Sequence, residues 1–251
     1  MSARSDVRRT KASAAARLKP FWILIVFAIV AMLAVAAFAV AWPGFAPKKI
    51  VVSGNRIVAR AEIVDRAHVS MVENMWLQDA RAIAARVETI PYVAQATVHR
   101  KPPSTIGIWI TERMPFAIVQ SGDRAALVDR DLRVLGPVLP AWSGLVRFLI
   151  DPGVELTPGR FLIAQSALDV RDGYDALVSA RLTPDLLELD RYGGLVVTMR
   201  DGVVIELGDN TDMSRKLALI GPILDQVAAK DHRVAEIDLR APNTPVVRYY
   251  K

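Results

Sequence analysis

The chain has 251 residues, 52% hydrophobic and 23% charged, which excludes disorder over most of its length. It contains no cysteine, and this excludes disulfide frameworks, thiolate zinc sites, cysteine nucleophiles and iron–sulfur ligation. Its formal charge of +6 invites a nucleic-acid reading, which stands or falls on where the charge lies.

Residues 1–20 form a basic tail. Arg4, Arg8, Arg9, Lys11, Arg17 and Lys19 stand there against a single acid, Asp6, for a net charge of +5. Phe21 to Trp42 follows, twenty-two apolar residues without a polar interruption. At about 1.5 Å per residue such a helix measures roughly 33 Å, enough to cross a hydrocarbon core of about 30 Å. Trp22 and Trp42 stand near its ends, where amphipathic rings favour the membrane interface. A cleaved signal peptide is the rival reading, and the run is too long for a secretory h-region of about 7–15 residues. Positive flanks stay in the cytoplasm, so the pattern predicts a single-pass protein with its N-terminus inside and residues 43–251 outside. That external part is left with a charge of only +1, and the nucleic-acid reading falls away.

After the Pro43-Gly44 break, Lys48–Ser53 reads as a short strand closed by the Gly54-Asn55 turn. Ala59–Ala67 has helical periodicity, and so does a second segment from about Leu77 to Val87. Pro91 stops that helix. Ala94, Ala96 and Val98 then alternate with Gln95, Thr97 and His99, Lys101–Ser104 turns the chain, and Ile106, Ile108 and Ile110 alternate again, which predicts a hairpin.

The run Ile90–Ile106 (IPYVAQATVHRKPPSTI), followed by Ile110-Thr111-Glu112-Arg113-Met114-Pro115-Phe116-Ala117, resembles the polypeptide-transport-associated (POTRA) domain of the FtsQ/DivIB family of bacterial division proteins. A basic tail, one span and this domain are also that family's order. The resemblance implies a POTRA domain of β-α-α-β-β order over residues 43–116 and a second domain over 117–251.

In that second part Ala125–Asp129 and Arg133–Leu135 flank a turn. The family often places Gly where this chain has Leu132, a residue that does not tolerate positive φ as Gly does. Leu145–Ile150 predicts a strand, and Phe161–Leu182 a helix that Gly173 weakens. Leu195–Met199 and Val203–Leu207 bracket Arg200-Asp201-Gly202, a hairpin signal. A helix is expected near Ser214–Ala229, with Gly221-Pro222 kinking or dividing it. Leu207-Gly208, the pair Arg215 and Lys216, and Ile237-Asp238-Leu239-Arg240 resemble the family again. The fold class expected is α+β: one transmembrane helix over 21–42, a POTRA domain, then a mostly antiparallel β domain with flanking helices.

No catalytic fingerprint is present. His68, His99 and His232 have no metal-ligand spacing, and the chain lacks the G-x-S-x-G, P-loop, dinucleotide and H-E-x-x-H patterns. The acid pairs Asp129/Asp131 and Asp169/Asp172 are the material of a glycoside hydrolase, but they stand in turn-like or exposed helical contexts. No enzyme, cofactor or metal is expected.

The last residues, Asn243–Lys251, are β-rich and begin beside Pro245, which suits an edge strand. Such an edge is either blunted, by Pro242, Pro245 and Lys251, or it pairs with a partner strand. Sequence physics leaves both open. The resemblance favours the second: FtsQ-like proteins dock FtsB, with FtsL attached, on their last strand, and are partners of other divisome membrane proteins. It implies partner contacts at Arg240, Thr244, Val246, Val247, Arg248, Tyr249 and Tyr250. Arg240 either meets a partner carboxylate in bidentate geometry or closes an internal salt bridge. The resemblance also implies a bacterial inner membrane location enriched at the division site. A POTRA component of a protein-translocation or envelope-assembly system is the alternative, and a membrane-anchored wall hydrolase a third.

Overall fold

The computed structural model describes residues 15–228 and 233–250. Most of the basic tail, His232, Lys251 and the expected helix end at Ala229 therefore lie outside the described residues. Helix α1 runs Ala15–Ala41, and its side chains from Trp22 to Phe38, seventeen residues, are all exposed. Among the described residues no helix is long and apolar enough to cross a membrane.

A small sheet comes next. Its elements are β1 (Lys49–Ser53), α2 (Arg60–Ala67), α3 (Ala80–Glu88), β2 (Val93–Lys101) and β3 (Thr105–Glu112). The order is β1-β3-β2, with β1 parallel and β2 antiparallel to the central β3. Ile106, Ile108 and Ile110 alternate inward from β3 and pack with Ile50, Ile63, Ile83 and Val87 in one core. Two expectations shift. Helix α3 starts at Ala80, because the Asp79 carboxylate accepts the Arg81 amide at 2.8 Å and caps it. A bulge between Val93 and Gln95 breaks the expected alternation: Val93 is buried and Ala94 faces out, while Ala96 keeps its inward place. Gly54 sits at φ +91°, and a Cβ there would lie 2.1 Å from the Ile110 carbonyl oxygen, so this turn admits no side chain.

Among the described residues the large sheet has nine strands in the order β12-β11-β10-β9-β8-β7-β4-β5-β6. They are β4 (Ala117–Ser121), β5 (Arg124–Val128), β6 (Val134–Gly136), β7 (Arg147–Ile150), β8 (Pro184–Leu189), β9 (Leu195–Met199), β10 (Val204–Gly208), β11 (Val234–Asp238) and β12 (Val246–Tyr249). Helix α4 (Gln165–Ser179) connects β7 to β8, and α5 (Met213–Ala228) connects β10 to β11. Both of those strand pairs are parallel, as crossover connections require, and β4 also pairs with β7 in parallel. The sheet is therefore mixed, with antiparallel hairpins joined by parallel contacts. Both helices pack on one face: Val170 and Leu177 from α4 and Leu217 and Ile220 from α5 meet Phe148, Leu187, Val197, Ile205 and Ile237 from the strands.

Three further expectations change here. Phe161 lies outside α4 and forms an isolated bridge with Arg133. Gly173 does not interrupt α4; a Cβ there would come within 2.5 Å of Leu195 Cδ2, so it lets the helix sit close on β9. Pro222 lies inside α5 without dividing it. Leu132 adopts φ +61° although it is not glycine, and its side chain is fully buried in the large core. Burying a leucine, worth about 1.5–3 kcal/mol, outweighs left-handed backbone strain of order 1 kcal/mol.

Candidate partner-binding edge

The sheet order places β12 at one end. It pairs with β11 in antiparallel register, Ile237 opposite Val247 and Asp238 opposite Val246, and no strand lies on its outer side among the described residues. Thr244, Val246, Arg248, Tyr249 and Tyr250 are exposed and Val247 is half-buried, packed against the large core. The Tyr250 amide still bonds the Arg233 carbonyl at 3.0 Å, which ties down the end of the chain. Val246 is 51% exposed on this strand and Tyr250, just after it, 60%. Beside them a surface cavity of about 330 Å³ is lined by Val203, Leu224, Val227, Val234 and Tyr250, with Asp201 and Arg233 at its polar parts.

Arg240 stands just past β11. Its Nε and Nη2 donate to the two Asp238 carboxylate oxygens at 3.0 and 2.6 Å, and Nη2 lies 3.0 Å from Glu206 Oε2 as an ion pair. That Glu206 oxygen makes no aligned hydrogen bond. The Arg240 fork is thus engaged inside the molecule. The hydrogen bond from Arg240 holds Asp238 below the ordinary carboxylate range, and Asp238 in turn raises Arg240. Arg248 pairs with Glu236 at 3.0 Å across the β11–β12 ladder. The edge accordingly offers two paired arginines between exposed apolar side chains.

The other singled-out residues have local roles. His68 ends α2 in the left-handed region, and His99 is exposed on β2. Asp129 accepts the amides of Asp131 and Arg133 at 3.0 and 2.8 Å and pairs with Arg113, so its carboxylate is committed to a buried turn. Asp169 accepts from Gln165 Nε2 at 2.8 Å, and Asp172 pairs with Arg171. No cluster of three or more His, Asp or Glu suited to a metal is found among the described residues.

Two devices escaped the sequence reading. Lys216 is buried, with its ammonium on the Asp209 carbonyl at 2.9 Å and on Asp209 Oδ1 at 3.1 Å; that bond holds Asp209 low. Only the basic pair Arg215-Lys216 hinted at it. The Glu112-Arg113 dipeptide also divides its work. Glu112 accepts the amides of Ile57 and Val58, fixing the turn after β1, while Arg113 reaches across to Asp129 in the large sheet.

A small three-stranded sheet backed by two helices is followed by a mixed sheet on whose last strand no further strand pairs among the described residues. The POTRA domain, FtsQ-type, is the family model that matches residues 45–113, so the small sheet with its two helices is similar to such a domain. The chain is 27% identical over 206 residues to the cell division protein FtsQ of Mycobacterium tuberculosis H37Rv, covering 82% of this chain and 62% of that protein. It is 28% identical over 223 residues to FtsQ of Mycolicibacterium smegmatis, covering 88% and 63%. Against FtsQ of Syntrophotalea carbinolica it is 27% identical over 214 residues, covering 81% and 74%. The chain spans about three fifths of the length of the mycobacterial relatives.

Proposed function

We propose that this protein is a non-enzymatic, single-pass membrane scaffold of the bacterial division machinery. On this reading residues 21–42 anchor it with the N-terminus in the cytoplasm. A POTRA domain over 43–116 and a β domain over 117–251 stand outside. The exposed ring of apolar side chains on α1, from 37% exposed at Ile25 to 70% at Phe27, supports a lipid environment, since a helix apolar on all sides is otherwise buried in protein. FtsB, with FtsL attached, adds a strand to β12, and the cavity beside Tyr250 receives an apolar side chain from it. The observation that carries this reading is the outer edge of the large sheet, on which no strand pairs among the described residues and from which Val246 and Tyr250 project, in a chain similar to FtsQ proteins.

Depletion in the native host, with a fluorescent fusion of the full chain, tests it. A division scaffold gives a midcell ring, and its loss gives filaments. A uniform envelope signal without filaments contradicts the reading and favours an envelope-assembly role.

A further inference from the structure

The loop between α2 and α3 is tightly built yet turns its apolar side chains outward. Gln78 accepts the Ser70 amide at 3.0 Å and donates to the Ser70 and Glu73 carbonyls at 2.8 and 3.0 Å. Arg100 donates to the Met75 and Gln78 carbonyls at 2.7 and 2.5 Å, and fully buried Met75 plugs the small core. From this frame Met71, Val72, Trp76 and Leu77 project with 47, 89, 51 and 55% exposure. A rigid loop that keeps four large apolar groups in water marks a contact surface.

The loop's position names the occupant. The Met75 amide bonds the Phe45 carbonyl at 2.9 Å, and Phe45 packs edge-to-face on Trp42, ring centres 5.2 Å apart. Trp42 closes the apolar run of α1, so the loop sits against the point where the chain leaves that helix. Lys48 and Lys49 are exposed at the start of β1. Lys49 and Lys101 both register with Thr105, which puts Lys101 and the Arg100 beside it at the same end of the sheet. Arg100 also stacks over Trp76 at 5.8 Å. Two acids are nearby: Glu73 is exposed, and Asp79 caps α3.

We propose that residues 71–77 lie in the headgroup layer of the membrane that α1 enters, with Val72, Trp76 and Leu77 dipping into the interface and Lys48, Lys49 and Lys101 facing anionic lipid. Aromatic and aliphatic groups beside lysines are the composition that binds such a surface. Because α1 already holds the domain at the membrane, even a weak contact is populated. It fixes the small sheet's tilt and so the height at which the large sheet is presented. The inference rests on the spanning reading of α1.

The absence of cysteine makes the test direct. The full chain carrying Val72→Cys, labelled with a nitrobenzoxadiazole fluorophore, is reconstituted in phosphatidylcholine vesicles with and without phosphatidylglycerol. Doxyl-labelled lipid serves as quencher. Val30→Cys, within α1, reports the span, and Tyr192→Cys, 79% exposed between β8 and β9, reports the distant surface. The expected result is a blue shift and quenching at position 72, stronger with phosphatidylglycerol and weakened by Lys48→Glu with Lys49→Glu, and neither effect at 192. Quenching at 30 without quenching at 72 overturns the inference and leaves the span standing. No quenching at 30 overturns the span and the inference with it. A blue shift at 72 without lipid quenching assigns the patch to contact with a second copy of the chain and overturns the inference as well.

Discussion

Arg113 and Asp129 meet where the two sheets join, and neither side chain has much access to water: 14% and 5% remain exposed. Arg113 also faces exposed Asp131 at 3.4 Å and lies over the Phe161 ring at 5.7 Å. Burial, followed by the neighbouring Arg113 charge, lowers Arg133, whose Nη2 reaches back to the Glu88 carbonyl at 3.2 Å. Arg113 and the backbone amides of Asp131 and Arg133 thus share one buried carboxylate. Removing that carboxylate strands them, so Asp129→Ala is expected to cost about 3 kcal/mol or more in chemical unfolding. The exposed Asp131→Ala should cost no more than about 1 kcal/mol. Equal losses from the two variants would contradict this assignment.

At Asp238 the same scale gives a pH dependence. Arg240 depresses the folded-state value of its carboxyl below the unfolded one. The stabilisation is therefore complete above the unfolded value of about 4 and disappears as the pH falls through the lower folded value. Unfolding measured between pH 5 and pH 2 should show a smaller acid loss for Asp238→Asn than for the wild type. An unchanged acid limb would remove Arg240 as the cause.

At the scale of elements, Gly54 is the sharpest constraint. An added Cβ would collide with a backbone oxygen of the central strand β3, and the residue is in the left-handed region as well. Gly54→Ala is expected to cost about 2 kcal/mol or more, combining overpacking with backbone strain. A melting curve that matches the wild type would show that the turn can move away from β3.

The small sheet was largely legible in the sequence because its signals are local: the period-2 run of Ile106, Ile108 and Ile110, the helical spacing in α2 and α3, and the turn between β2 and β3. The bulge at Ala94 was not, since a side chain's face there depends on pairing with β3. The large sheet was read less well. Its hairpins announce themselves through turns such as Arg200-Asp201-Gly202, whereas the parallel pairs β4–β7, β7–β8 and β10–β11 join segments far apart in sequence. The site followed the same division. An exposed terminal strand could be read from Pro245 and the β-rich run after it. That Arg240 meets Glu206 could not, because that acid lies on β10, thirty-four residues earlier.

At the scale of the whole molecule, the two sheets have separate cores and are tied by Arg113, Arg133 and Tyr92, whose ring packs against both the small core and the cluster formed by Ile118, Leu127 and Leu135. Burial raises the Tyr92 hydroxyl above its ordinary value. From that junction the large sheet extends strand by strand to β12, so its free edge lies at the far end of the sheet from the strands β4, β5 and β6 beside the small one. On the proposed function, the partner strand adds at β12. The most direct test is a titration of the full chain, in lipid nanodiscs, with the extracytoplasmic segment of the host's FtsB, comparing wild type with Val247→Pro. Proline removes a backbone donor from the edge strand, so the variant should bind at least about tenfold more weakly, about 1.4 kcal/mol, while its circular dichroism is unchanged. Wild-type affinity in a folded Val247→Pro protein would contradict strand addition at β12.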